Sequence, residues 1–281
     1  MVYEHEIPSL TRLYFGKSAL QKRKIETKAS EILFEKGYEE IVTPLLSYHQ
    51  HEALDEKELI RFSDSQNHII TLRADSTLDV VRIITKRLGR SVAQKKWFYI
   101  QPVFRYPSSE QYQIGAECID ETNLAVAIND SADILQQLSL KPLLQISNIN
   151  IPRLLSQKLG IDIEIFKHAD LEALLRLDIP WLTKLAYLQD VESIDEVIEE
   201  VDDALRAELE KIKLLAAEIA YTSVVIAPLY YAKMHYYDQL FFRYIQDNTT
   251  LGMGGNYRYN DVNSIGFALY TDNLIEELTK E

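Results

Sequence analysis

Cysteine is almost absent from this chain: among 281 residues only Cys118 occurs. A lone cysteine cannot close an internal disulfide, which excludes the stapled architecture of small secreted domains and suits a reducing cytoplasm. An excess of positive charge is missing too. Lys and Arg total 30 against 43 Asp and Glu, giving a formal net charge of −13. Sequence-independent binding of nucleic acid needs a basic stripe to neutralise phosphates, so this balance argues against it. The short basic clusters at 22–24, 86–90 and 95–96 read as solvated helix ends. No apolar run is long enough to span a bilayer, and no basic-flanked apolar stretch opens the chain. A cytoplasmic protein without membrane contact is expected. The six histidines show no zinc spacing, and His49 and His51 read as strand or loop surface. There is no P-loop, no dinucleotide glycine fingerprint and no serine or cysteine nucleophile context. Neither a metal nor a cofactor is expected.

What is present is an ordinary globular balance, 47% hydrophobic and 26% charged, with enough length for one large domain or two smaller ones. The most informative stretch is Trp97–Asp120, WFYIQPVFRYPSSEQYQIGAECID. Two apolar-rich runs, Trp97–Phe104 and Tyr112–Cys118, flank a turn carrying Pro107, Ser108 and Ser109, which is the pattern of a β-hairpin. Side chains alternate faces along a strand. Gln113, Gly115 and Glu117 therefore share one face, and Tyr99, Gln101, Val103 and Arg105 share a face on the first strand. Phe98, Ile100, Phe104, Tyr112, Ile114, Ala116 and Cys118 take the apolar side. The polar face reads as a floor with an arginine, an amide and a carboxylate, where Gly115 leaves room for a ligand near the backbone. By itself the pattern fits a half-exposed sheet with a polar solvent face equally well.

Around this hairpin the chain alternates helices and strands. Leu20–Gly37 has helical spacing and a glycine stop. Glu40–Leu46 (EIVTPLL) reads as a strand whose Pro44 places it at an edge, bulge or interface with a second copy of the chain. His68–Leu72 reads as a strand, and Ser76 opens a helix through Leu88 that Gly89 ends. Asp75 and Ser76 fit helix capping. Asp75 at a strand end also fits a pocket shared with Glu117, where two carboxylates suit an ammonium or imidazolium group. Asn123–Leu138 is expected as a helix and Pro142–Ser147 as a strand. Residues 150–220 are predominantly helical, with Val191, Ile194, Ile198, Val201, Leu205, Leu209 and Ile212 recurring at helical intervals and a solvated acidic run at 199–203. Strands are expected at Thr222–Ala227 and His235–Arg243, the second sending Tyr236 and Tyr237 to opposite faces. Gly252, Gly254 and Gly255 imply close backbone approach, and Ser264–Leu278 reads as a final helix packed on the sheet. The expected domains are a core of residues 1–149 and 214–281 and a helical insertion, 150–213.

In this order the segments resemble the class II aminoacyl-tRNA synthetase core, in its histidyl branch. GYEEIVTPLL resembles the first motif, whose proline lies at the dimer interface. TLRADST is similar to the histidyl LRPEGT segment. FRYPSSEQYQIGAE resembles the second motif joined to the QIGVE signature. HYYDQLFF and GGNYRYN resemble the histidine-specific DYYTG and GGRYDG motifs, and SIGFALYTDNL resembles the third motif. The resemblance implies an α+β fold, an antiparallel sheet flanked by helices. It also implies a histidine pocket made of Asp75, Thr77, Gln113, Glu117, Tyr237 and Tyr257, with Arg105 as the retained second-motif arginine.

The same resemblance implies that the ATP half is lost. Adenylate formation needs cations aimed at the phosphates. Pro107 stands where the second-motif glutamate belongs, Ala232 where the catalytic arginine belongs, and Asn273 where the third-motif arginine belongs. Tyr270 replaces a glycine, Asn256 an arginine and Arg258 an aspartate, and the loop from Tyr106 to Tyr112 is short. The chain ends at the third motif's helix, which implies no anticodon-binding domain and no tRNA contact. The group with this profile is the regulatory subunit of ATP phosphoribosyltransferase. It is non-catalytic, and it acts in histidine biosynthesis through a short-form catalytic subunit. The expectation is therefore a histidine-binding homodimer that assembles into a hetero-oligomer and has no catalytic residues of its own. Two other readings stay open: a degenerate amino-acid-activating enzyme, supported by Arg105, and a synthetase-like interaction protein with a vestigial pocket.

Overall fold

A computed structural model describes residues 6–48, 54–88, 92–232 and 237–280. The expectations for His49, His51, Gly89, Arg90, His235 and Tyr236 lie outside the described residues. The elements in chain order begin with α1 (Gly16–Glu35), β1 (Glu39–Glu40), β2 (Leu46–Ser47), a 3₁₀ turn (Glu56–Glu58), β3 (Arg61–Ser63) and β4 (Ile69–Leu72). Then come α2 (Ser76–Ile83), which runs on as a π-helical turn (Ile84–Leu88), β5 (Lys96–Arg105), β6 (Ser109–Ile119), α3 (Leu124–Gln137) and β7 (Leu143–Asn148). Six helices follow: α4 (Asn150–Leu159), α5 (Ile163–Lys167), α6 (Leu171–Leu175), α7 (Pro180–Tyr187), α8 (Ile194–Ile198) and α9 (Asp203–Glu218). Last are β8 (Val224–Ile226), β9 (Tyr237–Gln246), β10 (Thr249–Tyr259), β11 (Val262–Tyr270) and α10 (Thr271–Leu278).

The chain divides into two compact units, Met1–Asp120 with Gly266–Glu281, and Glu121–Ile265. The first unit carries strands in the order β1-β5-β6-β11 together with a small sheet, β2-β4-β3. Its hairpin is antiparallel and in unbroken register from Lys96↔Cys118 to Arg105↔Ser109. On the apolar face Phe34 meets Phe98 edge-on with ring centroids 4.9 Å apart, and Tyr38 Oη lies 3.1 Å from Cys118 Sγ. Helix α1 starts where Ser18 Oγ accepts from Phe15 N at 3.1 Å. It stops before Gly37, whose φ of +81° is a left-handed conformation that glycine adopts without strain.

In the second unit the order is β11-β10-β9-β7-β8, the boundary between units falling inside β11. Leu205, Leu209, Ile212 and Leu215 form the buried stripe of α9. Asp202 Oδ1 caps that helix by accepting from Ala204 N and Leu205 N. The acidic run is solvated as expected: Glu199, Glu200, Asp202 and Asp203 are exposed, and only Val201 among them turns inward.

Several expectations are corrected. EIVTPLL is not one strand. It splits into β1 and β2, which belong to different sheets, with extended chain around Pro44 between them; proline offers no N–H to continue a ladder. Ser264–Leu278 is not one helix. Residues up to Tyr270 continue β11, where Ile265, Phe267 and Leu269 are buried, and helix begins only at Thr271. The apolar repeat of 191–212 is helical as expected and falls on two helices, α8 and α9. The polar face of the hairpin is no solvent face either, since Tyr99, Gln101, Gln113 and Glu117 are all buried. Among the described residues no helix is long and apolar enough to cross a membrane, and no cluster of metal-ligating side chains occurs.

Candidate functional site in the hairpin floor

The in-register pairs Trp97↔Glu117, Tyr99↔Gly115 and Gln101↔Gln113 stack the floor residues along one face of β5 and β6. Over them passes the 73–77 segment joining β4 to α2. Asp75 is the N-cap of α2, its Oδ1 accepting from Leu78 N at 2.9 Å. The capping expectation is therefore met, and Asp75 is also buried above the floor-facing segment, 5% exposed. Thr77 Oγ1 lies 3.2 Å from Tyr99 Oη, and Tyr99 Oη donates to Glu117 Oε1 at 3.4 Å. The structure thus links Thr77, Tyr99 and Glu117 in one chain of polar contacts. Gln113 Nε2 donates to Gln111 Oε1 at 3.1 Å.

Glu117 is completely buried. The space for its carboxylate is made by Gly266 on β11, where an added Cβ would overlap Glu117 Oε2. The space expected over Gly115 is filled: its missing Cβ is replaced by the ring and hydroxyl of Tyr99. The glycine serves a side chain, so the expected ligand opening at that position is corrected.

Arg105 sits four residues beyond Gln101 on β5, about 13 Å along the strand at 3.3 Å per residue. It is half-buried, its Nε donating to Ala74 O at 3.4 Å and its Nη1 lying 3.6 Å from Glu58 Oε2. The structure therefore places it beside the chain leading into Asp75, at the far end of the floor from Glu117. Tyr237 and Tyr257 belong to the second unit, where they are cross-strand partners on β9 and β10. Tyr237 stacks on Phe241 with ring planes 8° apart, and both rest against Gly255, whose Cβ would lie 2.7 Å from Tyr237 Cδ1. Among the positions where the resemblance implies lost ATP chemistry, Ala232 is buried in a cluster with Ile149, Tyr237 and Phe241. Arg258 is exposed and paired with Asp261 at 2.7 Å.

Sequence reasoning missed Arg73. Its guanidinium is buried, with Nε donating to Pro102 O at 2.8 Å. Nη1 donates to Thr43 O at 2.9 Å, Thr43 Oγ1 at 3.1 Å and Gln101 Oε1 at 3.0 Å. Gln101 Nε2 passes the network on to Ser76 Oγ at 3.1 Å. Burial lowers the Arg73 pKa, offset in part by the charge of Asp79. A charge inside a lattice of carbonyl and amide acceptors fixes geometry. Arg73 ties the chain around Pro44 to β5 and so sets the approach of α2 to the floor. The alternation that put Gln101 on the floor was the available signal, since a buried strand amide needs partners.

Asp75, Gln113 and Glu117 are all buried. Carboxylates and an amide oxygen are acceptor groups that suit a molecule with an amino group and a second N–H.

The sequence profile of the histidyl-tRNA synthetase family matches residues 15–274. The ATP phosphoribosyltransferase regulatory subunit of Wolinella succinogenes is 44% identical over 281 residues, covering all of this chain and 98% of that protein. The protein of the same name from Helicobacter hepaticus is 40% identical over 277 residues, covering 98% of this chain and 99% of that one. Among solved structures, a Bacillus halodurans protein described as an ATP phosphoribosyltransferase regulatory subunit/histidyl-tRNA synthetase superposes with a TM-score of 0.88 at 20% identity. It covers all of this chain and 84% of that one. The histidyl-tRNA synthetase from Nostoc sp. PCC 7120 superposes with a TM-score of 0.80 at 13% identity over 99% of this chain and 76% of that one. At those identities the superpositions establish the fold, a class II synthetase-like sheet flanked by helices, and the full-length sequence matches carry the kinship. The chain belongs to the histidyl-tRNA synthetase family, in the group of its ATP phosphoribosyltransferase regulatory subunits.

Proposed function

We propose that this chain is a non-catalytic regulatory subunit of ATP phosphoribosyltransferase, which binds histidine on the hairpin floor and acts through a short-form catalytic subunit. The observation that carries this reading is the 44% identity, end to end, with a protein of that name. The floor chemistry supports the histidine part. Asp75 would hold the α-ammonium group beside Thr77 and Gln113, and Glu117 would accept from the imidazole N–H. Feedback then follows if histidine binds two assembly states with different affinity, since a ligand shifts an equilibrium only by its differential affinity. Arg105, tied to Ala74 O, would hold the Asp75 segment in place rather than touch phosphate.

The same proposal includes a homodimer, supported by the exposed side chains of Val42, Leu45 and Leu46 on either side of Pro44. It also includes a core of residues 1–149 and 214–281 with a helical insertion, 150–213. Helices α4–α9 following β7 with no strand among them support that division.

Titration calorimetry with histidine on the native chain and on Glu117→Gln tests the sensor. Binding is expected in the native chain and a loss of about tenfold or more in the variant, the worth of one charge-assisted hydrogen bond. Equal affinity in both would remove Glu117 from the pocket, and no binding to either would end the sensor reading. Co-purification with a short-form catalytic subunit tests the partner separately. The competing reading, a degenerate amino-acid-activating enzyme, rests on the retained Arg105. It predicts histidine-dependent exchange of pyrophosphate into ATP, where the regulatory reading predicts none.

A further inference from the structure

A second concave site lies wholly within the Glu121–Ile265 unit, and Tyr257, which the resemblance assigns to histidine, is among its lining residues. It is a cavity of about 450 Å³ opening between the start of α3, the end of α9 and the strand ends of β9, β10 and β11. Its position follows from an irregularity. On β10 Gly255 pairs with Phe241 and Tyr257 with Tyr237, so β9 carries two residues more than its partner over this stretch. A bulge of this kind re-aims side chains and is common beside binding sites. Here it delivers Asp238 to the cavity wall.

Two polar atoms in that wall have no partner among the described residues. Asp238 Oδ1 and Ser264 Oγ are both buried and make no hydrogen bond among the described residues, and Ser264 is only 1% exposed. Unmet buried polar groups are uncommon in folded proteins and costly to leave unpaired. Three other wall groups are committed. Glu218 Oε2 accepts from Asn123 Nδ2 at 2.8 Å, Asn256 Nδ2 donates to Thr122 O at 2.9 Å, and Lys211 is paired with Glu208 at 2.8 Å. Burial raises the Asp238 carboxyl above its ordinary range, and a hydrogen bond from its own backbone N–H and the charges of Arg153 and Arg258 only partly offset this.

The charges decide the ligand class. Among the described lining residues Asp238 and Glu218 are acids, and the cation, Lys211, is already paired with Glu208, which disfavours a phosphate or carboxylate ligand; Arg153 and Arg258 act on Asp238 from outside the lining. The apolar part of the wall comes from Leu124, Leu214, Leu215 and Leu240. We propose that this cavity binds a small organic ammonium compound, its cationic end donating to Asp238 and Ser264 and its aliphatic body lying along the leucines.

The probe is 1,4-diaminobutane, with 1,4-butanediol as the uncharged match, titrated calorimetrically into the full chain. Saturable binding of the diamine is expected, with affinity falling about tenfold in Asp238→Asn, the size of one lost charge-assisted contact. Leu214→Trp provides an independent test, because Leu214 is 65% exposed at the rim and a larger side chain there narrows the mouth without entering the core. It too is expected to weaken binding. Diamine binding is expected to survive Glu117→Gln, which separates this site from the histidine pocket. No saturable binding, equal affinity in native and Asp238→Asn, or diol binding as tight as diamine binding would each overturn the proposal.

Discussion

The hairpin floor and the Asp238 cavity are both polar surfaces built on strands, and they solve the burial of polar groups in opposite ways. On the floor, Arg73, Gln101, Thr43 and Ser76 satisfy one another within a single network. Thr77, Tyr99 and Glu117 form a second chain beside it. In the cavity, Asp238 Oδ1 and Ser264 Oγ are buried and make no hydrogen bond among the described residues. A saturated network rigidifies and fixes one geometry, whereas unmet groups cost stability until something supplies the missing donors. Disturbing the floor should therefore damage the fold first and binding second. Disturbing the cavity should change binding with little harm to the fold.

The largest expected effect is at Arg73. Arg73→Met removes the donor to Thr43 O, Pro102 O and Gln101 Oε1 while leaving those acceptors buried. A destabilisation of about 3 kcal/mol or more is expected, read from the denaturant midpoint. A variant of native stability would show that the floor is not held by this cation. Next comes Gly115→Ala, where the new methyl overlaps the Tyr99 ring. A cost of about 1–3 kcal/mol follows from overpacking. Replacing Tyr99 with leucine in the same chain should recover part of it, because the clash partner is gone.

The first of these two effects was hidden in the sequence and the second was half visible. Alternation placed Tyr99, Gln101, Gln113 and Glu117 on one face correctly, because a strand's period is two whatever covers it. It did not reveal that the face is buried, since burial comes from the 73–77 segment and from Gly266 on β11, and Gly266 lies far from the hairpin in sequence. Arg73 went unnoticed because it stands in an apolar strand end, where a cation ordinarily means an exposed edge. SIGFALY read as helix because Ile265, Phe267 and Leu269 lie in an apolar run buried on nearly every residue, and such a run suppresses the alternation that marks a strand. Asp238 was legible only as one acid in a tyrosine-rich stretch; the two-residue bulge that directs it depends on pairing with β10.

A moderate effect is expected at Asp75, where two roles coincide. Asp75→Ala should cost about 1 kcal/mol by removing the N-cap of α2, and Asp75→Ser, which keeps a capping oxygen, should cost little. If Asp75 also holds an ammonium group, histidine affinity falls in both variants, since neither keeps the charge. A fall in the alanine variant alone would mean that only the cap matters.

The smallest expected effect concerns pH and the cavity. The Asp238 carboxyl is raised above its ordinary value of 3.8 by burial. The folded chain therefore holds this proton to higher pH than the unfolded chain does. Where the folded state binds more protons, stability falls as pH rises. The loss begins near the ordinary carboxylate value and is complete once pH exceeds the raised one. Asp238→Asn cannot ionise and has no such loss, so its thermal midpoint relative to the native chain should rise between acid and neutral pH. Saturating 1,4-diaminobutane should shrink that difference, because the cation favours the ionised carboxylate and stabilises the native chain more than the variant. A difference that is flat across this range would mean that Asp238 ionises in the cavity as freely as in water, and the contrast with the saturated floor would then rest on Ser264 alone.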